Sequence, residues 1–379
     1  MSRLTGLSLF SNVGVAEAYF KEIGVDIVLA NELLPERAQF YSDVYPETEM
    51  ICGDITDDEL RKQIVEKAIA KCVDFIIATP PCQGMSKLGL MSPKDVRNQL
   101  IYYAVDVIKK VNPKYILIEN VPQALTTKIE VDGETMLIPD YLKKELGEKY
   151  NFNSDSRIRT MDYGVSQMRP RCIFLLSSKD TNVKWEFPKK EKVIPLKDIL
   201  MSVPSVDPLV REGYDETLKM FPDFEKKKKA ALEVSKWHYP PTHNKRHILW
   251  MQHTPSGTSA IYNEVYYPQK PDGTRISAHE NQYRRHSWEK PCRTITQNNG
   301  VVSSLCCVHP GKEYTSANGE KLYSDPRVLT IYELLLVSSL PVDWPIPLWA
   351  KDTLIRKVIG EGIPPLMVKK IMLELLKQI

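Results

Sequence analysis

Short apolar runs separated by longer amphipathic segments dominate the first half of the chain. The runs lie at residues 4–10, 25–30, 73–78, 114–118 and 172–176. Short, nearly continuous apolar runs are typical of strands that are buried on both faces of a parallel sheet. Because helical segments alternate with them, the pattern predicts an α/β fold with a doubly wound sheet.

Capping signals and apolar periodicity predict the helices. They are expected at residues 16–23, 56–71, 92–110, 330–339 and 365–379. Gly24 is a typical C-cap for the first of them. Thr56 and Glu59 have the spacing of a capping box for the second. Asp132 and Gly133 predict a hairpin turn.

The strand and helix rhythm stops at about residue 179 and returns after residue 290. In between, prolines, lysines and aromatic residues replace it. The pattern therefore predicts a main α/β domain over residues 1–178, a smaller irregular domain over residues 179–290, and a last part over residues 291–379.

Charge is distributed unevenly along the 379 residues. Residues 179–290 contain 20 basic and 15 acidic side chains, whereas the rest of the chain is slightly acidic. This surplus suits a polyanionic partner, although a run such as residues 226–229 is equally typical of a solvated lysine-rich face.

Composition excludes several other classes of protein. No apolar run is long enough to span a bilayer, and the first ten residues do not resemble a signal peptide, so a cytoplasmic protein is expected. The seven cysteines contain no CxxC pair, which argues against disulfides and thiolate metal sites. Six of the seven histidines lie within residues 179–290, but without metal-ligand spacing, so we expect no metal and favour polar contacts or surface positions.

Candidate chemical groups follow two of the predicted strands. Cys82 comes after the run at residues 73–78, behind Pro80 and Pro81, which stiffen the turn. Glu119 directly follows the run at residues 114–118. If these strands are parallel neighbours, both side chains lie at the same edge of the sheet, where α/β proteins place their ligands. Considered alone, Cys82 is equally compatible with an inert buried cysteine.

The first strand and turn suggest nucleoside binding. Glu32 lies about 20 residues beyond that turn, at the spacing from which a carboxylate meets ribose hydroxyls. Only Gly14 remains of the three glycines of a dinucleotide fingerprint, so the signal is weak by itself.

Taken together, short motifs along nearly the whole chain resemble those of the cytosine-C5 DNA methyltransferases of bacterial restriction-modification systems. In chain order they are LFSNVG at residues 9–14, Glu32, GDI at 53–55, TPPCQGMS at 79–86, DVRNQL at 95–100, ENV at 119–121, QMRPR at 167–171, RTIT at 293–296 and GEGIPP at 360–365. A Rossmann-like methyltransferase sheet and an irregular target-recognition domain at residues 179–290 are what this resemblance implies.

The resemblance also implies S-adenosylmethionine as the cofactor. Its binding residues would be Phe10, Ser11, Gly14, Glu32, Asp54, Ile55, Pro80, Leu100 and Glu361. Within this set, Glu32 would bind the ribose hydroxyls and Asp54 the adenine amine. The carboxyl-terminal helix would pack back against the first strands.

Catalysis in this family implies a cysteine nucleophile acting on double-stranded DNA. Cys82 would attack C6 of a flipped-out cytosine, and protonated Glu119 would donate to ring N3. Arg171, together with Arg169, would hold the cytosine carbonyl and a phosphate or orient Glu119. The loop at residues 87–94 would close over the extruded base. We expect a monomer, with a cognate restriction endonuclease as a possible companion in the host.

The chain departs from the family pattern at four positions. Glycine is usual at Asn12 and frequent at Val15, an acidic residue is usual at Ser8, and asparagine is usual at Glu361. These departures affect the expected cofactor turn and leave the reacting groups in place.

Several other functions share parts of this pattern. A transfer-RNA cytosine methyltransferase would share the fold and motifs. A nucleotide-dependent oxidoreductase or a silent DNA-binding protein would leave Cys82, Glu119 and Arg171 without a joint purpose. Adenine and N4-cytosine methyltransferases are disfavoured because they have an aromatic residue in place of Cys82.

Overall fold

The computed structural model describes residues 4–81, 99–131 and 133–379. The strands of the first half are β1 Leu4–Leu9, β2 Val25–Glu32, β3 Glu49–Cys52, β4 Phe75–Ala78, β5 Tyr115–Asn120, β6 Lys128–Val131, β7 Glu134–Leu137, β8 Tyr150–Phe152, β9 Arg157–Arg159, β10 Gln167–Met168 and β11 Pro170–Ser178. The helices there are α1 Pro35–Val44, α2 Asp58–Ala70, α3 Leu100–Val111 and α4 Ile138–Leu146.

The second half has shorter strands and more helices. Its elements are α5 Leu196–Leu200, β12 Leu209–Val210, α6 Tyr214–Met220, α7 Phe224–Val234, β13 Thr242–His243, α8 Lys245–Gln252, β14 Cys292–Arg293, β15 Glu313–Thr315, β16 Lys321–Tyr323, α9 Ile331–Val337, α10 Asp352–Glu361 and α11 Pro365–Leu376.

The central sheet has eight strands in the order β3-β2-β1-β4-β5-β11-β8, with β9 paired to β11. The strands from β3 to β5 are parallel, and β11 runs antiparallel to β5. The predicted doubly wound sheet is therefore confirmed, and so are the five predicted strands. The apolar pattern did not predict that β11 reverses direction.

Helices cover both faces of the sheet. On one face, α2, α3 and α4 bury side chains such as Ile64, Ile108 and Leu142 against the strands. On the other face, α11 packs against the first strands, as in the cluster that contains Leu4 and Met367. The predicted return of the carboxyl-terminal helix to the first strands is thus confirmed.

The predicted helix at residues 16–23 is wrong. The segment consists of two 3₁₀ turns, Val15–Glu17 and Lys21–Ile23, before Gly24 ends it in the left-handed conformation. Residues 18–20 form a turn between them, and the buried carboxylate of Glu17 accepts hydrogen bonds from Ser8 and Tyr41, so tertiary contacts hold this segment in place of a continuous α-helix.

The predicted capping box of the second helix is also wrong, by one residue. Asp57 is the N-cap of α2, and its carboxylate accepts from Leu60 N at 2.8 Å. Thr56 instead lies in the preceding turn, where its backbone N–H donates to Asp54 Oδ1 at 2.9 Å. The predicted start of the next helix at residue 92 lies outside the described residues.

Other local predictions are confirmed. β6 and β7 form an antiparallel hairpin in which Gly133 has a φ of 79°. The helix predicted at residues 330–339 is α9, which Thr330 caps through a complete capping box with Glu333. Both signals are local in sequence, which explains why they were readable before folding.

The second half contains hydrophobic clusters separate from those of the sheet. One surrounds Trp250 and Tyr283 and includes Val302 and Val328, and a smaller one surrounds Phe224. Packing around Trp250 thus joins residues on both sides of position 290.

Candidate active site

The carboxyl ends of β4 and β5 form one edge of the candidate site. Ala78 and Ile118 are paired in register, so the segments that follow these strands leave the sheet side by side. Pro80 O accepts from Asn120 Nδ2 at 3.0 Å, which joins the two segments. Thr79 Oγ1 donates to Phe10 O at 3.0 Å, which joins the same turn to the end of β1. Cys82 lies outside the described residues, directly beyond this anchored turn.

Glu119 and Arg171 form a close ion pair at this edge. Arg171 Nε lies 2.6 Å from Glu119 Oε1, and the side chains are 9% and 13% exposed. Antiparallel pairing of β5 with β11 brings them together. Burial raises the pKa of Glu119, and the guanidinium groups of Arg171 and Arg169 oppose that rise. The structure therefore brings together two of the predicted catalytic residues, and burial shifts the pKa of Glu119 toward the protonated form while the arginines oppose that shift.

Arg169 donates hydrogen bonds to backbone carbonyls of distant parts of the chain. Its guanidinium donates to Ile295 O at 2.6 Å, Gly360 O at 2.9 Å and Glu361 O at 2.8 Å. These carbonyls belong to two of the predicted motifs that are far away in sequence. Arg169 therefore links three motifs through hydrogen bonds, and this geometry indicates that it positions them relative to one another.

The turn after β1 has an unusual backbone. Phe10, Asn12 and Gly14 have φ values of 57°, 51° and 73°. Left-handed conformations at non-glycine residues are strained and cluster at ligand sites. At Gly14 a side chain would also collide with the rings of Tyr41 and Tyr45.

Glu32 closes the same turn from β2. Its carboxylate accepts from Asn12 N at 2.9 Å and from Leu34 N at 3.0 Å. Ser11 N donates to Asn31 O at 3.0 Å, so the end of β2 holds the turn at two places. A carboxylate can accept about four hydrogen bonds, and Glu32 therefore keeps capacity for ligand hydroxyls.

The remaining predicted cofactor residues lie around this turn or beyond β3. Asp54 is exposed, and Thr56 N occupies only one of its carboxylate oxygens. Ile55 is buried, with its carbonyl bonded to Arg61 at 3.0 Å. Leu100 is the first residue of α3 and packs against the core of the sheet.

Two of the departures from the family pattern meet in space. Asn12 Nδ2 donates to Glu361 Oε2 at 3.2 Å, and Arg37 Nη2 lies 2.7 Å from the same oxygen. Sequence reasoning named Glu361 but missed Arg37, because no local signal connects residues more than 300 positions apart.

At a third departure, Ser8, the neighbouring turn supplies an acidic side chain. Ser8 stands where an acidic residue is usual, and its hydroxyl donates to Glu17 Oε1 at 2.5 Å. Tyr41 OH donates to Glu17 Oε2 at 2.5 Å. Burial raises the pKa of Glu17 to about 7. Sequence reasoning missed this acid, although a glutamate inside the apolar stretch VAEAYF was a visible signal.

Several histidines that were expected at the surface or on nucleic acid are buried. His238 bonds Thr330 Oγ1 at 2.9 Å, and His243 Nε2 accepts from Val328 N at 3.2 Å. Burial lowers the pKa of His243 to about 3. These two imidazole rings are therefore hydrogen-bonded parts of the protein core. Within residues 4–81, 99–131 and 133–379, no three His, Cys, Asp or Glu side chains are grouped to hold a metal ion.

Solved structures share the fold over the whole chain. A prophage-encoded Escherichia coli protein described as a DNA modification methyltransferase superposes with a TM-score of 0.66 at 19% identity, covering 99% of each chain. The Dnmt2 methyltransferase of S. pombe superposes with a TM-score of 0.54 at 16% identity, covering 99% of this chain and 98% of that one. The class defined by the sheet is that of the Rossmann-like methyltransferases.

Sequence comparison then specifies the family. The type II methyltransferase M1.HgaI of Avibacterium volantium is 38% identical over 380 residues, 99% of each protein. M1.HphI of Haemophilus parahaemolyticus is 24% identical over 380 residues, 99% of this chain and 87% of that one. A family model described as C-5 cytosine-specific DNA methylase matches residues 4–377. The chain belongs to this family and is a DNA (cytosine-5-)-methyltransferase.

A membrane-spanning segment was not expected from the sequence. Among the helices that the structure describes, none is long and apolar enough to cross a bilayer.

Proposed function

We propose that this enzyme transfers a methyl group from S-adenosylmethionine to C5 of a cytosine flipped out of a specific duplex DNA sequence. Transfer proceeds through a covalent bond between Cys82 Sγ and C6 of the base. The single observation that carries the proposal is the common edge at which the anchored turn before Cys82 lies beside the Glu119–Arg171 pair.

Cys82 is the nucleophile in this proposal. Thiolate attack at C6 breaks the C5–C6 double bond and makes C5 nucleophilic. Pro80, whose carbonyl accepts from Asn120, lies in a stiff turn that comes directly before Cys82 in the sequence. After methylation, loss of the C5 proton and elimination of the thiol restore the aromatic ring.

Glu119 is the general acid. Its raised pKa supports a protonated carboxyl that donates to ring N3 while negative charge develops there. Arg171 holds this carboxyl in place at 2.6 Å and remains beside the cytosine carbonyl. Arg169 positions the surrounding motifs through its hydrogen bonds to their backbone carbonyls.

In this proposal S-adenosylmethionine binds beyond the carboxyl ends of β1, β2 and β3. When bound, it supplies an electrophilic methyl group on a sulfonium centre. Glu32 has capacity for the ribose hydroxyls, and Asp54 has an open oxygen for the adenine amine. Phe10, Ser11, Gly14, Ile55, Pro80, Leu100 and Glu361 complete the proposed pocket.

Duplex DNA is the proposed substrate, because C6 is reached only from the face of an unstacked base. Residues 179–290 would form the target-recognition domain between the catalytic parts at 1–178 and 291–379. Residues 87–94, which lie outside the described residues, would cover the flipped base. We further propose a cytoplasmic monomer that acts in a restriction-modification system alongside a separate endonuclease.

Covalent trapping tests the proposal. Duplex oligonucleotides with 5-fluorocytosine at the methylated position should form an irreversible complex with the wild-type enzyme when S-adenosylmethionine is present, because fluorine blocks the final loss of the C5 substituent. Cys82→Ser should abolish the complex. Cys72→Ser, at an exposed cysteine beyond α2, is the matched control and should trap normally.

Target sites are first mapped by sequencing methylated cytosines in host DNA. Absence of a trapped complex on a mapped site would refute the covalent mechanism. Preferential trapping on transfer RNA with the same substitution would refute the proposed DNA substrate while keeping the chemistry.

A further inference from the structure

The segment at residues 297–305 begins close to the catalytic edge. Just before it, Ile295 O accepts from Arg169 Nη1 at 2.6 Å. Arg169 is two residues before the arginine of the buried ion pair at that edge. Gln297 and Asn298 follow this carbonyl by two and three residues, which is at most about 7 and 10 Å of chain at ~3.4 Å a residue. The 297–305 segment therefore starts within reach of the reacting groups.

A cleft opens beside this segment. Its volume is about 260 Å³, and Met168 of β10, Asn281 and Leu305 are among the residues that line it. The cleft walls thus come from the Arg169 motif, from the irregular part of the chain and from the 297–305 segment. Arg293 also lines the cleft, and its guanidinium donates to Asn281 Oδ1 at 2.6 Å. We expect nucleotides that flank a base at the catalytic edge to lie along this cleft.

Two adjacent amide side chains of the segment face solvent. Gln297 and Asn298 are both exposed, and among the described residues none hydrogen-bonds their side-chain amides. Val301 and Leu305 are apolar and are nevertheless 48% and 45% exposed. The segment therefore presents free donors, free acceptors and apolar surface next to the cleft.

The backbone between these exposed side chains is anchored. Asn299 is only 2% exposed, and its Nδ2 donates to Thr296 O at 2.8 Å and to Arg356 O at 2.9 Å. Arg356 Nη1 in turn donates to Leu329 O at 2.8 Å, so α10 and the residue before the N-cap of α9 hold the turn. A backbone that is fixed before binding lowers the entropy that its side chains lose on binding. Such anchoring is typical of a recognition surface and is not needed in a solvated loop.

The exposed groups match the edges of one kind of base pair. A carboxamide has a donor and an acceptor side by side, as adenine has at N6 and N7 in the major groove of duplex DNA. An apolar side chain such as Val301 suits the methyl group of thymine. The set therefore fits an A·T pair better than a G·C pair, whose purine edge in the major groove offers two acceptors.

We propose that Gln297 and Asn298 read base edges in the major groove beside the target cytosine. The recognised sequence then contains an A·T pair within about three base pairs of that cytosine, because ~10 Å of chain corresponds to about three pairs at ~3.4 Å each. This inference rests on the proposed function and deepens it. The surface that reads DNA thus extends past residue 290, the predicted end of the target-recognition domain.

Methylation of a randomised duplex library tests the inference. Each duplex has one fixed cytosine with random flanking bases, and bisulfite sequencing gives the base preference at every flanking position. The wild-type enzyme should require an A·T pair at the stated distance. Gln297→Ala and Asn298→Ala should each weaken the preference at one position by ~5- to 150-fold, the range for loss of a bidentate base contact.

Carboxylate variants separate base reading from structural damage. Gln297→Glu and Asn298→Asp replace the amide with a group that only accepts, so the preferred base at that position should change from adenine to cytosine, whose N4 donates. A structural defect produces no such gain. Gln63→Ala, at an exposed position of α2, and Asn151→Ala, at an exposed position of β8, are matched controls and should keep the wild-type preference.

Unchanged base preferences in all four variants would overturn the inference. Equal slowing on every sequence would overturn it as well, because it would show that the amides contact phosphates instead of bases. The same holds if the wild-type sites lack an A·T pair at the stated distance. If the wild-type enzyme methylates no cytosine at C5 in any duplex, the proposed function itself fails, which is a distinguishable result.

Discussion

At the residue scale, two buried acids have pKa values that are raised for the same reason and serve different purposes. Glu119 lies at the edge of the sheet beside Arg171, and Glu17 lies under the first turn between two hydroxyl groups. Burial disfavours the carboxylate form of both. Of these two acids, only Glu119 lies at the edge of the sheet where the cytosine is proposed to bind.

Glu119→Gln should slow methyl transfer by ~100-fold or more, because an amide cannot give a proton to N3 in the transition state. Since the protonated form is active, the wild-type rate should fall as pH rises through the pKa of Glu119. Single-turnover rates from mildly acidic to alkaline pH measure this, and the variant should lack that decline. Equal pH profiles for both enzymes would contradict the acid role.

Glu17 should make stability depend on pH. Its pKa of about 7 lies above the ordinary 4.5, so the folded state retains a proton that the unfolded state releases, and about 3 kcal/mol of stability is lost as pH rises from 4.5 to 7. Urea unfolding at pH 5 and pH 8 should show this difference in the wild-type enzyme.

Glu17→Gln removes the titrating group and keeps hydrogen-bonding capacity, so its stability should change less between pH 5 and pH 8. Glu374→Gln, in an exposed pair, is the control and should behave as the wild-type enzyme. A wild-type enzyme that is equally stable at both pH values would show that the Glu17 carboxyl is not held protonated.

At the element scale, the end of α10 packs closely against Val15 and against the backbone of Thr296. A side chain at Gly362 would collide with Val15, and one at Gly360 would collide with the backbone of Thr296. Val15 therefore fills space where the family frequently has glycine, and its partner Gly362 makes room for it. Arg169 then binds the carbonyl groups of this same helix end.

Arg169→Ala should lower the free energy of unfolding by roughly 3–5 kcal/mol, because it leaves buried carbonyls without donors and removes packing. Urea unfolding measures the loss. Arg157→Ala, at an exposed arginine of β9, should change stability by less than ~0.5 kcal/mol. If Arg169→Ala lost activity at unchanged stability, Arg169 would contact substrate rather than position the motifs.

At the scale of the whole molecule, fewer lysines of residues 179–290 are available for phosphates than their number suggests, although the surplus of five basic side chains is unchanged. Lys227 pairs with Asp207 at 2.8 Å, and Lys228 pairs with Glu225 at 3.3 Å. Lys226 and Lys229 on the same helix are exposed. DNA binding by this region should therefore depend moderately on salt.

The slope of log affinity against log salt for duplex DNA should be no steeper than roughly −4.5, the value for five phosphate contacts. Fluorescence anisotropy between 50 and 300 mM salt measures it. Lys226→Gln combined with Lys229→Gln should make the slope shallower if α7 contacts phosphates. A slope well beyond the predicted limit would show that other parts of the chain supply further contacts.

Most of the fold was predictable because its signals are local. The strands at residues 73–78 and 114–118, the hairpin at Gly133 and the helix that begins at Thr330 each depend on a few neighbouring residues. The predicted helix at residues 16–23 failed because contacts of Glu17 with Ser8 and Tyr41 hold that segment, and no local pattern contains them. The prediction that the histidines lie at the surface or contact nucleic acid failed for a similar reason, because burial depends on packing against residues that are distant in sequence.

The sequence by itself determined which reactive groups follow which strands, because apolar periodicity and turn residues act over a few positions. It therefore predicted Cys82 and Glu119 at one edge of a parallel sheet, and Glu32 after the second strand as a ligand for ribose hydroxyls. Only the tertiary structure decided the direction of β11, the carbonyl partners of Arg169 and the meeting of Asn12, Arg37 and Glu361. These contacts join residues that are tens to hundreds of positions apart, and such pairs come together only when the whole chain packs.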